Sequence, residues 1–212
     1  MAVNAVNLIA EFEINPPKMG DIKKRAKEIR LDQDMAEALW ASGQFHARML
    51  AVLILDKKRL DEASVEALAK DMMTHPASER DHLSEWLMAN QLIKSKPLIG
   101  LLESWEEHPL PLLRRLFWYH QARLRWTGQP SPENTSELVA KLEKKFATED
   151  PVVQWTMNFC AAWIGVHQPE FRARCVALGE KTGLYKELKA PKNCTPMYLP
   201  AFIEMETAKR NL

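Results

Sequence analysis

Four arginines share one stretch that holds no carboxylate. Residues 109–126 read PLPLLRRLFWYHQARLRW, with Arg114, Arg115, Arg123 and Arg125 and neither Asp nor Glu. The same stretch carries Leu112, Leu113, Leu116, Phe117, Trp118 and Tyr119, too many apolar groups for a narrow surface stripe. The helix they predict is therefore packed on most of its circumference. Pro109 and Pro111 open it, and proline is tolerated in a first helical turn, where the missing N–H has no partner anyway. A helix both buried and wholly basic needs something anionic to meet. Neighbouring Glu106 and Glu107 are one answer and a phosphate backbone is the other. Arg114 and Arg115 sit about 100° apart around a helix, so one faces the core while the other faces out.

Acid–base candidates gather at residues 75–82, HPASERDH. Glu79 falls in the first turn of a predicted helix behind a Ser78 cap, where the helix dipole favours a carboxylate. Asp81, two residues on, competes for the same role. His75 and His82 are seven apart with only loose acids between them, and His108, His120 and His167 show no ligand spacing, so no metal site is predicted. Cys160, Cys175 and Cys194 are widely spaced and odd in number. They argue for a reducing compartment and against a disulfide framework or a cysteine-built zinc site. Cys160 reads as a small core residue rather than a nucleophile. No cofactor is predicted.

The elements that must position these groups are all helical. Leu, Ala, Glu, Lys and Met dominate the 212 residues and Gly is scarce, at 7. Helices are predicted over 3–12, 22–30 (Asp21 cap), 35–41 (Asp32 or Asp34 cap), 45–55, 61–72, 78–94, 97–106, the basic stretch to 126, 135–147, 152–164, 170–184 and 200–210. A surface loop is predicted over 127–134 and irregular chain over 185–195. Successive pairs span roughly 35–45 residues, the second helix usually the more apolar, which is the layout of stacked helical hairpins. The fold predicted is an all-α, HEAT-like helical-repeat solenoid forming one domain over 1–212, with a compact bundle as the competitor. Hydrophobic content of 46% and a net charge of +1 suit an ordinary globular protein whose basic patches are local. No basic leader and no long uncharged apolar run stand out, so a cytoplasmic location is expected, with no membrane partner.

Several stretches together resemble one family. They are Ile22–Ile29 as I-x-x-x-A-K-E-I, Leu39-Trp40, Ala47 through Ala51, Val153 through Phe159, Arg172-Ala173-Arg174, Gly179 through Tyr185, and Asn193 through Ile203. From about residue 20 to residue 210 the chain resembles the AlkD-like DNA alkylation repair proteins, built of HEAT-like repeats. The resemblance implies glycosylase chemistry on cationic N3- and N7-alkylated purines. Alkylation makes the base a good leaving group, and one carboxylate near the sugar can stabilise the developing oxocarbenium ion by charge. The family's carboxylate, an Asp, falls at Glu79 and the tryptophan four residues before it at His75. The family's arginine falls at Arg114, or at Arg115 with a one-residue slip, and its second tryptophan at Phe159.

The resemblance thus implies Glu79 and His75 as the catalytic pair. His75 and Phe159 would flank a lesion in double-stranded DNA that is alkylated or distorted. Trp155 or Trp163, helical neighbours of Phe159, could replace the missing aromatic there; Trp163, four on, can share its face. Arg48, Arg114 and Arg115 would hold phosphates. Arg172, Arg174, Lys181, Lys186, Lys189 and Lys192 form either a further phosphate-contacting edge or a solvated face. The replacement of both tryptophans favours a second reading for excision itself: a non-catalytic relative that binds DNA or a protein partner.

Overall fold

The computed structural model describes residues 4–126 and 130–212. Val3, at the start of the first predicted helix, and residues 127–129 of the predicted loop lie outside them. Twelve α-helices, and no strand, occur among the described residues. The chain divides into two compact units, the first ending at Ser104 and the second spanning Trp105–Leu212.

The first unit holds α1 (Ala5–Ile14), α2 (Met19–Ile29), α3 (Gln33–Ala41), α4 (Phe45–Ile54), α5 (Glu62–Met72), α6 (Ala77–Asn90) and α7 (Lys96–Ser104). Helix α4 packs between α2 and α6, while α3 lies on α1 and α4, and α5 on α6. That is the stacking of hairpins read from the periodicity: second helices form one layer and first helices another. Leu39, Leu50, Val65, Leu83 and Leu87 fill the interior.

The second unit holds α8 (Pro111–Trp126), α9 (Thr135–Lys145), α10 (Pro151–His167), α11 (Pro169–Thr182) and α12 (Leu199–Arg210). Helix α10 is its axis, packed against α8, α9, α11 and α12. Eleven of its 17 residues are buried, which is why its sequence, PVVQWTMNFCAAWIGVH, is apolar all round. Met157 and Ile164 of α10 and Leu113 and Leu116 of α8 are all closed to solvent.

Helix ends follow local chemistry. Asp32, Asp61 and Asp150 each accept a backbone N–H of the first turn, and Gly183 ends α11 in the left-handed conformation. Two predicted caps are corrected. Asp21 is not the cap of α2 but its third residue, accepting from the Lys18 N–H at 3.1 Å. Ser78 is not the cap of α6: Pro76 holds that place and Glu79 is the third residue. The predicted helix over 78–94 breaks at Gln91, and a single 3-10 turn, Leu92–Lys94, follows.

Candidate carboxylate site and nucleic-acid interface

Glu79 sits where the sequence places it, in the first turn of α6. Its side chain is 38% exposed, and Oε2 lies 2.8 Å from Nδ1 of His75, whose side chain is 6% exposed. The other ring nitrogen, Nε2, lies 2.7 Å from Nη1 of Arg48 on α4. Arginine always donates, so Nε2 accepts and the ring proton is on Nδ1, aimed at Glu79. Three of the residues singled out by sequence, Arg48, His75 and Glu79, thus form one hydrogen-bonded line.

Arg48 is itself held on several sides. Its Nε donates to the Trp40 carbonyl at 3.1 Å and Nη1 to the Asp71 carbonyl at 2.9 Å. Its guanidinium lies 4.9 Å from the Trp40 ring centre, whose Nε1 donates to the Asp71 carboxylate at 2.7 Å. This arginine is buried, and its donors point at protein acceptors rather than outward. Asp81, the rival carboxylate, is instead paired with Arg80 at 2.8 Å.

The aromatic surroundings come from a second element. The ring of Phe45, at the start of α4, lies edge-on to His75 at 6.4 Å and to His82 at 5.7 Å. The adjacent His46 has its proton affinity lowered by burial, which the charge of Glu79 partly offsets. Sequence reasoning missed Phe45 and His46. Only the contact between α4 and α6 brings them to Glu79, and nothing in their spacing announces it. A cavity of about 440 Å³ lined by Ala36, Trp40, Leu55, Leu68 and Asp71 includes neither His75 nor Glu79.

In the second unit the two adjacent arginines divide as predicted. Arg115 is 1% exposed and donates to the Val152 carbonyl at 3.1 Å. Arg114 is partly open, and its acid is neither Glu106 nor Glu107 but Glu149, at 2.7 Å. Burial pushes the Glu149 carboxyl up, yet hydrogen bonds from Arg114 and the Asp150 N–H, with the charges of Arg114 and Lys145, hold it below its ordinary value. Glu106 and Glu107 pair with Lys141 and Lys145 instead. Arg125 is enclosed and donates to Gln121, Asn134 and Thr135. Arg172 caps carbonyls at the end of α10, and Arg174 grips Glu143 with two hydrogen bonds. Lys186, Lys189 and Lys192 are exposed.

Phe159 and Trp163 fall together, ring centres 5.9 Å apart. Two residues not singled out complete the cluster: Tyr119 stacks on Phe159, and Trp126 lies parallel to Trp163 at 6.1 Å. Trp163 is nearly enclosed, whereas Trp126 is 40% exposed. The guanidinium of Arg210 lies 4.9 Å from the centre of Trp163 and is tethered by Glu206. Burial pushes the Glu206 carboxyl up, but hydrogen bonds from Lys209, Thr195 and Arg210 outweigh it and bring it down to about 2. A lowered carboxylate contributes stability above its unfolded value, and that stability is lost as the pH falls toward the folded one. Glu206→Gln is therefore expected to flatten the loss of stability between pH 5 and about 2, read by urea unfolding across that range. An unchanged pH dependence would contradict the assignment. Cys160 and Cys175 are enclosed, and burial pushes both thiols up to about 12, so neither serves as a nucleophile at neutral pH.

Stacked helical hairpins with a held carboxylate in one unit and a basic, aromatic helix pair in the other define a HEAT-like helical-repeat protein. The chain belongs to the DNA alkylation repair enzyme family, whose profile matches residues 12–182. A solved structure described as "a new family of proteins related to the HEAT-like repeat DNA glycosylases with affinity for branched DNA structures" is similar, with a TM-score of 0.71 and 17% identity. The likeness covers 99% of this chain and 96% of that one and bears out the all-α, HEAT-like fold read from the sequence. No curated protein matches the chain. Among the described residues no helix is long and apolar enough to cross a membrane.

Proposed function

We propose that this chain binds double-stranded DNA and excises cationic N3- or N7-alkylated purines, with Glu79 as the carboxylate. The observation that carries the reading is the half-open carboxylate in the first turn of α6, held by a buried imidazole N–H. As the C1′–N bond lengthens, its electron pair goes to the cationic base nitrogen and the base leaves neutral. Glu79 stabilises the positive charge that grows on the sugar. Water then bonds to C1′ and gives its proton to the carboxylate, which returns it to solvent. His75 orients Glu79 rather than the base, because both of its ring nitrogens are engaged.

We reassign the expected phosphate contacts. Arg48 and Arg115 are enclosed and Arg114 is bound to Glu149, so the exposed cations Lys186, Lys189 and Lys192 suit phosphate better. In the second unit, Phe159 and Trp163 support the exposed ring of Trp126, and in this reading that ring meets nucleic acid. Three free thiols suit the reducing cytoplasm. The Arg114–Glu149 pair favours a second reading, a non-catalytic binder of DNA or of a protein, and the affinity of the solved relative for branched DNA is in keeping with it.

Salt dependence tests the binding. Neutralising three phosphates gives a loss of about 40-fold between 50 and 200 mM salt. Replacing Lys186, Lys189 and Lys192 together by Gln is expected to remove most of that slope. Affinity that ignores salt in the natural protein would count against DNA as the partner.

A further inference from the structure

We propose that Arg48 is a positioning residue for Glu79 and acts through His75. It fixes the Nδ1–H tautomer of the imidazole, and that N–H holds the carboxylate in one orientation. The proposal rests on the reading of Glu79 as the reaction's carboxylate.

The argument starts from what each atom can do. A guanidinium has only donors, so at 2.7 Å from Arg48 Nη1 the ring nitrogen Nε2 must accept. A proton on Nε2 would set two donors face to face. With Nε2 accepting, the ring proton of His75 is on Nδ1, 2.8 Å from Glu79 Oε2. Which ring nitrogen carries the proton is set by the hydrogen bond the other one makes, and here Arg48 sets it. Free imidazole side chains prefer the opposite tautomer, with the proton on Nε2. Glu79, which only accepts, asks for the same Nδ1 proton, so the tautomer is held from both sides of the ring. Without Arg48 it is held at Nδ1 alone, and the Nε2–H form, its ring turned away from Glu79, competes.

Arg48 can impose this because it cannot itself swing away. Acceptors from two directions, the Trp40 and Asp71 carbonyls, hold Nε and Nη1, and the Trp40 ring lies against the guanidinium. The line joins the end of α3, the middle of α4, the end of α5 and the start of α6. It transmits their packing to one carboxylate oxygen. The charged and titratable groups around His75 are Arg48, Glu79, His46 within reach of the Glu79 charge, Asp71 behind Arg48, and His82 across Phe45. Among them Arg48 alone meets Nε2.

The test uses the full chain with nitrogen-15 in its histidines. Ring-nitrogen spectra near neutral pH, with His75→Gln to assign the signals, are expected to show His75 with a proton on Nδ1 and a bare Nε2. Arg48→Met is expected to lose that pattern and Arg48→Lys, which keeps a donor, to retain it. On alkylated duplex DNA, Arg48→Met is expected to lower kcat for purine release about 100-fold, the cost of misplacing a catalytic group by about 1 Å, with KM unchanged. His75 protonated on Nε2 in the natural protein would overturn the proposal. So would an Arg48→Met protein that keeps the natural tautomer or full release. Arg48→Met also removes bonds to two carbonyls; if it does not fold, the spectrum of the natural protein and of Arg48→Lys decides. The expected tautomer without release from the natural protein would leave the Arg48–His75 geometry standing and overturn the catalytic role of Glu79, and with it the positioning role.

Discussion

Gly179→Ala is expected to destabilise the second unit by about 3 kcal/mol, at the upper end of the cost of overpacking a core. A Cβ at Gly179 would lie 2.6 Å from Cβ of Leu199 and 2.6 Å from Cδ of Pro200. Neither neighbour can step aside. Leu199 Cβ is fixed to a buried backbone, and the Pro200 ring is closed on its own chain. The start of α12 would have to move away from α11, opening a contact that both helices also share with α10. Helix propensity works the other way, since Ala is favoured over Gly by about 1 kcal/mol inside a helix. The clash outweighs that gain and decides the sign. Gly100 is the control: it too is helical, but nothing lies within 4 Å of a Cβ placed there. Gly100→Ala should therefore gain about 0.5–1 kcal/mol. Urea unfolding of the two variants measures both effects, and a Gly179→Ala protein as stable as its parent would show that α11 and α12 do not pack this closely.

The helices were legible because their signals are local. Asp32, Asp61 and Asp150 each stand just before an apolar period and need only the next turn to act as caps. Where local signals compete, reading from sequence goes astray. Ser78 looks like the cap of α6, but Pro76 enters the helix first with φ −52°, and the N–H groups of Glu79 and Arg80 both reach its carbonyl. The Arg114–Arg115 step was readable as one in and one out, because neighbours on a helix point about 100° apart. The identity of the acid that meets Arg114 was not readable: Glu149 is 35 residues away and arrives only when α10 packs on α8. The same holds for the site in the first unit. His75 and Glu79 are four apart and visible as a pair, whereas Arg48 joins them across 27 residues through the packing of α4 on α6.

Glu79→Gln is the most direct test of the proposed chemistry. The substitution keeps the length and nearly the shape of the side chain and removes its negative charge. It should leave DNA affinity little changed, because a carboxylate does not bind phosphate, while the barrier loses its main electrostatic support. Losing one well-placed stabilising group costs roughly 100- to 1,000-fold in rate. The measurement is release of methylated purines from alkylated duplex DNA by the natural protein and by Glu79→Gln, at concentrations where both bind. Release by the natural protein that falls by two orders of magnitude or more in the variant is the predicted result. Equal release by both would contradict the role of Glu79, and no release by a natural protein that binds DNA would contradict excision and leave the non-catalytic binder.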